Sequence, residues 1–282
     1  MSRSLDALKS AEQVGTITSL TSIFENIASM RIAKIKDKVT RSQIFFDELW
    51  GIYTSLRIDP KDHYSGSGGV KRDNPNVILA LTGEGGLSGD IDARIVRAVI
   101  ENYDPKTTDL VVIGAHGATQ LVQKGANIKR YFRLPDVDQA IDVSPIVAEL
   151  IGYKQASVYF QRYISLSVQE VTTIELVSRV KTLGAGSSGA GVISPRDYLF
   201  EPNIDEVVHY LEAVMMEIAL SQVILESRLA QYASRFTAMS AANQRAKETE
   251  TEMFNIYRRA KRGEADARTK DIINSMNALG EG

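Results

Sequence analysis

The turn Gly83-Glu84-Gly85-Gly86-Leu87-Ser88-Gly89 is where residue types and spacing in this 282-residue sequence come nearest to small-molecule chemistry. A glycine-rich turn between a strand and a helix can offer backbone N–H groups to a phosphate. Here, however, the third glycine of the dinucleotide pattern falls on Ser88, and Glu84 sets a negative charge where an anion would sit. The next strand ends in Gly114-Ala115-His116 rather than in an acid for a ribose. No Gly-Lys-Ser/Thr follows, so the mononucleotide phosphate loop is absent too. The expectation is a structural tight turn without a cofactor. His116 stands alone after its strand, His63 falls in a linker and His209 on a terminal helix, so no convergent metal or acid-base set emerges. Neither Ser88 nor Ser194 has the Gly-x-Ser-x-Gly surroundings of a nucleophile elbow. With no cysteine in the chain, thiol catalysis, disulfides and thiolate metal sites are excluded together. The sequence therefore offers no catalytic, cofactor-binding or metal residue.

The elements that position the turn read as an α/β fold. Residues 76–82 form a continuous apolar run ending in glycines, and residues 91–100 a helix with Ile91, Ile95, Val96 and Val99 on one side. Residues 109–114 repeat the strand signal and residues 118–124 the helix signal. This alternation predicts a buried parallel sheet with right-handed crossovers. A helix is expected over residues 143–151, with Ser144 as cap and Pro145 at the first position. Strands follow at residues 157–163 and 168–176; the second alternates apolar and polar residues, as on the antiparallel side of a mixed sheet.

Both ends of the chain read as long helices. Residues 203–279 contain no proline and one glycine, Gly263. Large side chains recur at three- and four-residue steps: Val207, Leu211, Val214 and Ile218, then Leu225, Leu229, Tyr232, Phe236 and Met239. That spacing is the seam of a coiled coil. Beyond Met239 the seam becomes small or polar at Ala242, Ala246 and Thr249 before Met253. A continuous helix of this length would extend on the order of 110 Å at 1.5 Å per residue, against roughly 40 Å for a compact domain. At the amino end, Leu5, Leu8, Val14, Ile17, Leu20, Phe24, Ile27, Ile35 and Val39 are spaced for a second helix able to pair with the first. The predicted architecture is a long antiparallel coiled coil of the terminal helices with a Rossmann-like α/β domain between them. Residues 1–58 and 203–282 form the discontinuous coiled-coil shaft, residues 74–181 the α/β domain, and residues 59–73 and 182–202 glycine- and serine-containing loops.

A net charge of −2 carries no excess that would seek a polyanion, so nucleic acid is not a favoured partner. The segment 210–225 is the best candidate for a membrane span, but Glu212 and Glu217 interrupt it. The amino terminus lacks the apolar core of a secretion signal. The expectation is a soluble, cytoplasmic chain that does not itself insert in a membrane. Charges crowd the distal helix between Lys247 and Lys270; a solvated face and a surface that slides inside a protein sleeve both account for them.

The chain resembles the gamma subunit of F-type ATP synthases. The segment Glu226-Ser227-Arg228-Leu229-Ala230-Gln231-Tyr232-Ala233-Ser234-Arg235-Phe236-Thr237-Ala238-Met239-Ser240-Ala241-Ala242 is similar to the family's Glu-x-x-Ala-Ser-Glu-x-Ala-Ala-Arg-Met-Val-Ala-Met-Lys-Ala-Ala. Gly85-Gly86-Leu87-Ser88-Gly89-Asp90 resembles its Arg-Gly-Leu-Cys-Gly-Gly turn, Tyr198-Leu199-Phe200-Glu201-Pro202 its Tyr-x-Tyr-Glu-Pro, and Ile27-Ala28-Ser29-Met30-Arg31 its Ala-Ala-Ser-Lys-Met-Arg. The resemblance implies a noncatalytic central rotor stalk without cofactors, peripheral on the cytoplasmic face of the cell membrane. Its implied partners are the alpha and beta subunits, in which ATP chemistry resides, the epsilon subunit and the membrane c ring. It further implies that Tyr198, Phe200 and Glu201 contact the c ring or epsilon. Met30 and Arg31 would then lie on the amino-terminal shaft, and Lys261, Arg262 and Asp266 would face the beta subunits. The chain departs from the family at Lys261, Arg262 and Asp266, which replace an Arg-Gln pair with a following threonine. It departs again at Ser19-Leu20-Thr21-Ser22, which replaces a basic, methionine-containing run. Three other readings compete: a paralogous rotor of an F-type-like ATPase with another role, a free nucleotide-binding α/β enzyme with helical dimerisation arms, and a structural coiled-coil scaffold with no motor.

Overall fold

Apolar strands buried along nearly their whole length build a sheet covered on both faces; the computed structural model describes residues 3–55, 75–133, 142–151, 153–176 and 204–280. In chain order the elements are α1 (Arg3–Ser55), β1 (Asn76–Leu81), α2 (Ile91–Asn102), β2 (Thr108–Ile113), α3 (Ala115–Gln123) and β3 (Ile128–Phe132). They continue with α4 (Ser144–Leu150), β4 (Gln155–Tyr163), β5 (Gln169–Glu175) and α5 (Ile204–Gly280). The five strands take the order β3-β2-β1-β4-β5. All neighbours are parallel except β4 and β5, which pair antiparallel from Ser157↔Glu175 to Tyr163↔Gln169. The expected mixed α/β sheet is therefore present, with its one antiparallel edge where the alternating strand lies.

The chain divides into two compact units, Met1–Ile27 with Phe236–Gly282, and Ala28–Arg235. In the second unit, Val77, Leu79 and Leu81 of β1, Val111 and Ile113 of β2, and Val158 and Phe160 of β4 point to one face of the sheet. They pack there on Phe46 and Trp50 of α1, on α4, and on Met215, Ala219, Leu220, Val223 and Ile224 of α5. The intervening residues Ile78, Ala80, Leu110, Val112 and Tyr159 face α2 and α3 through Ile95, Val96, Val99 and Leu121. Strands buried on both faces read as continuous apolar runs, which is why β1 and β2 are plain in the sequence. β3 was not expected. It is an edge strand whose Lys129, Arg130 and Tyr131 are exposed, the charged protection of an open edge that erases the apolar signal. Ser144 proves to be the first residue of α4 rather than its cap: Val143 holds the cap position, and the Ser144 N–H donates to Asp142 Oδ1 at 3.1 Å.

Within the first unit α1 and α5 pair antiparallel. Ser4 Oγ donates to Glu264 Oε2 at 2.9 Å, and further along α1 the Asn243 Nδ2 donates to Thr18 O at 2.8 Å and Thr21 Oγ1 at 3.0 Å. The seam keeps the expected Met239 and Ala246 of α5, with Leu8 and Val14 of α1 half-buried, and departs from expectation elsewhere. On α1 the buried positions are Ser4, Ala7, Ala11 and Thr21, whereas Leu5, Ile17, Leu20, Phe24 and Ile27 are exposed. On α5 they are Met239, Asn243 and Ala246, not Ala242 and Thr249. Small side chains allow the helix backbones to approach closely enough for Asn243 to reach a main-chain carbonyl of the other helix. Larger residues in those positions would hold the helices apart. Gly15 fits the same pattern, because a Cβ there would stand 3.1 Å from Glu250 Oε1.

Candidate functional site

The carboxyl ends of the strands converge on the turn after β1, and protein groups fill it. Thr82 continues β1, its N–H and its Oγ1 both donating to Ile113 O at 2.8 Å. The peptide N–H of Gly83 donates to Asp92 Oδ1 at 3.0 Å, and His116 N donates back to Gly83 O at 3.0 Å. Gly114 has φ of 102° where a Cβ would lie 2.2 Å from Thr82 O, so the chain crosses itself at a point open only to glycine. Leu87 takes a positive φ of 67°, uncommon for a side chain of its size.

Asp92, in the first turn of α2 and only 2% exposed, is the centre of this end of the sheet. Besides Gly83 N, its carboxylate meets His116 Nδ1 at 2.8 Å and accepts from Gln161 Nε2 at 3.2 Å. Gln161 is fully buried, two residues past the Ala80↔Tyr159 pairing, level with Thr82. Its carbonyl oxygen accepts from Ser227 Oγ at 2.5 Å and Gln231 Nε2 at 3.4 Å, both on α5. One turn further along α5, Ser234 Oγ donates to Ser88 O at 2.6 Å, and Arg235 NH2 to Gly86 O at 3.3 Å. Glu84 Oε2 accepts from Ala115 N at 3.3 Å. The positions a phosphate would occupy are thus taken by the carboxylates of Glu84 and Asp92, and the turn carbonyls face an arginine and a serine of α5. The turn is tied on every side to groups of the protein.

Sequence reading left His116 without a partner. The structure supplies Asp92, 24 residues earlier. Asp92 gives no local signal, because an acid in the first turn of a helix is commonplace. Gln161, 69 residues from Asp92 and 66 from Ser227, is equally silent in sequence. Among the described residues no group of three His, Cys, Asp or Glu side chains could hold a metal.

Of the residues singled out by resemblance, Met30 is 61% exposed on α1 and Arg31 next to it is half-buried. Lys261, Arg262 and Asp266 are exposed on α5, where the Lys261 ammonium donates to Tyr257 Oη at 3.3 Å and lies over its ring. Arg262 and Asp266 are four residues apart, on one side of the helix. Tyr198, Phe200 and Glu201 lie outside the described residues, as do Ser194, His63 and the two expected loops. Among the described residues no helix is long and apolar enough to cross a membrane.

These features define a class: an α/β domain with a mixed five-stranded sheet, inserted between two long terminal helices that pair antiparallel over a small-residue seam. A family model described as ATP synthase matches residues 6–279. The gamma chain of ATP synthase from Cytophaga hutchinsonii is 24% identical, over 94% of this chain and 95% of the relative. That of Mesoplasma florum is 23% identical, over 96% of each. Among solved structures, a chain of the Euglena gracilis mitochondrial ATP synthase OSCP/F1/c-ring assembly aligns with a TM-score of 0.63 at 17% identity, covering 95% of this chain and 92% of that one. A chain of the Tetrahymena thermophila central stalk and c-ring assembly aligns with a TM-score of 0.58 at 17% identity, covering 79% and 99%. These structural likenesses establish a shared fold. The chain belongs to the ATP synthase gamma family.

Proposed function

We propose that the chain is the central rotor stalk of an F-type ATP synthase, noncatalytic itself. Residues 1–58 and 203–282 act as shaft and residues 74–181 as foot. The foot engages the epsilon subunit and a membrane c ring, with Tyr198, Phe200 and Glu201 as contacts. The shaft presents Met30, Arg31, Lys261, Arg262 and Asp266 to the alpha and beta subunits, where ATP is made or hydrolysed. The complex sits peripherally on the cytoplasmic face of the cell membrane. A rotating shaft favours one conformation of a catalytic subunit over another only through contacts that differ between them, so an asymmetric surface is required.

The observation that carries this reading is the surface of the two-helix unit. Its seam contains Ser4, Ala7, Ala11 and Thr21, while Ile17, Leu20, Ile23, Phe24 and Ile27 face outward on the same helix. Apolar side chains left in water favour burial by about 25 cal/mol for each Å² covered. A contiguous stripe of five therefore calls for an enclosing protein wall. The test is co-purification under native extraction, in which alpha and beta subunits of an ATPase must accompany the chain. Leu20→Asp with Phe24→Asp should leave the helical content of the purified chain unchanged and abolish that association. Retained association, or alpha and beta subunits missing from the unaltered chain, would defeat the proposal.

A further inference from the structure

We infer that Asp92, Gln161, Ser227 and Gln231 form a directional hydrogen-bonded latch that fixes the rotational setting of α5 on the sheet, and that torque passes between foot and shaft helix through it. The inference rests on the rotor reading above and adds a mechanical role for residues outside the partner-contact surfaces.

The chain of bonds has one self-consistent direction. Gln161 turns its NH2 group toward Asp92, donating through Nε2 to Oδ1. The carboxamide oxygen of Gln161 must then face α5, where it requires donors, and Ser227 Oγ and Gln231 Nε2 supply them. Gln231 Nε2 also donates to Ser227 Oγ at 3.2 Å, completing the hydroxyl's partners. Asp92 itself is held by Gly83 N and His116 Nδ1. The setting of α5 is thus referred to β4, to the turn after β1, to α2 and to α3 at once.

Location strengthens the point. The face of α5 that meets the sheet is apolar through Leu220, Val223 and Ile224, and becomes polar at Ser227, Gln231, Ser234 and Arg235. Close apolar packing opposes large rolls of the helix but tolerates small ones by rotamer changes, having no preferred hydrogen-bond angle. Hydrogen bonds weaken steeply away from linearity. Rolling α5 by one residue, about 100°, would take Ser227 and Gln231 off Gln161 and leave a fully buried carboxamide oxygen without a donor. α5 then continues past Arg235 as the same uninterrupted helix to Gly280. The latch adds a directional constraint on α5 to the apolar packing of Met215, Ala219, Leu220, Val223 and Ile224 against the sheet.

The experiment uses the whole complex in sealed vesicles, with ion uptake followed by a potential-sensitive dye during ATP hydrolysis. The double variant Ser227→Ala with Gln231→Ala should assemble in normal yield and hydrolyse ATP within twofold of the wild-type rate. It should move at least twofold fewer ions per ATP against an imposed gradient. Ser227→Thr with Gln231 intact, which keeps a hydroxyl, should retain the wild-type ratio. Ser227→Ala alone removes one hydroxyl and improves helix propensity; it should lower the ratio less, and decides the matter should the double variant assemble poorly. An unchanged ratio in the alanine variants, or equal loss in Ser227→Thr, overturns the latch and leaves the rotor reading standing. A wild-type complex that hydrolyses ATP with no ion uptake overturns both.

Discussion

Removing the Asp92 carboxylate should be far more damaging than removing its charge. Two donors depend on it, Gly83 N at 3.0 Å and Gln161 Nε2 at 3.2 Å, and His116 Nδ1 meets it at 2.8 Å. In Asp92→Ala the imidazole, whose side chain is 37% exposed, can turn to water. The Gly83 and Gln161 donors cannot, since Asp92 and Gln161 are both buried. Each orphaned buried donor costs about 1–3 kcal/mol, giving a loss of about 2–6 kcal/mol. In Asp92→Asn one oxygen still accepts from Gly83 and Gln161. The new amide stands where the second oxygen met His116 Nδ1, and no buried donor is orphaned, so the loss should be about 1 kcal/mol or less. Urea unfolding of the purified chain, followed by far-ultraviolet circular dichroism, measures both changes, with a common m-value marking a common unfolding reaction. Equal destabilisation by alanine and asparagine would refute the reasoning, because it would show that the carboxylate's hydrogen bonds are not what holds the strand ends together.

Two further outcomes follow from other parts of the molecule. Asn243→Ala removes the bonds to Thr18 O and Thr21 Oγ1. Thr21 keeps its bond to Ile17 O, so no group is orphaned and the loss should be about 1–2 kcal/mol. Amide exchange should quicken over residues 4–27 and 236–264 while the sheet amides stay protected; uniform quickening would contradict a local role. At the start of β2, the hydrogen bond to Asp109 lifts the Lys129 ammonium above its ordinary 10.5. Burial, followed by its own hydrogen bond to Asp109, lifts the Tyr153 phenol above 10.0. Both groups hold their protons more tightly in the folded chain. Their contribution is therefore present below about pH 10 and is lost as pH rises through the raised values. Asp109→Asn should flatten the alkaline fall in stability seen in a pH series of melting temperatures, and a curve parallel to the wild type would show that the cluster contributes nothing.

Much of the sheet was legible because its strands are buried on two faces. Val77-Ile78-Leu79-Ala80-Leu81 has no polar side to obscure it, and the alternation in Ile174-Glu175-Leu176 marks β5 as the antiparallel edge. What escaped was of two kinds. β3 escaped because edge protection puts Lys129 and Arg130 where an apolar pattern would have revealed a strand. The Asp92 network escaped because its members are brought together from four separate elements. Each is an ordinary polar residue in its own neighbourhood, and only the β1–β4 register sets Gln161 beside the turn.

The seam of the terminal helices is hidden in the sequence for a different physical reason. Hydrophobic periodicity selects the largest residues, and on α1 it selected Ile17, Leu20, Phe24 and Ile27 as the seam. Those residues do share a face, but the face is turned outward, while Ser4, Ala7, Ala11 and Thr21 meet α5. A coiled coil that stood alone would gain by burying the large set, since each such side chain is worth about 1.5–3 kcal/mol when fully buried. The opposite arrangement forgoes that gain within the chain and holds it for contact with another surface. Close approach over small side chains also brings Asn243 within reach of Thr18 O, so hydrogen bonds fix the register that large interlocking residues would otherwise have set. The outward stripe and the polar seam are therefore one adaptation: the pair is held in register by directional bonds inside, which leaves its apolar surface available to a partner.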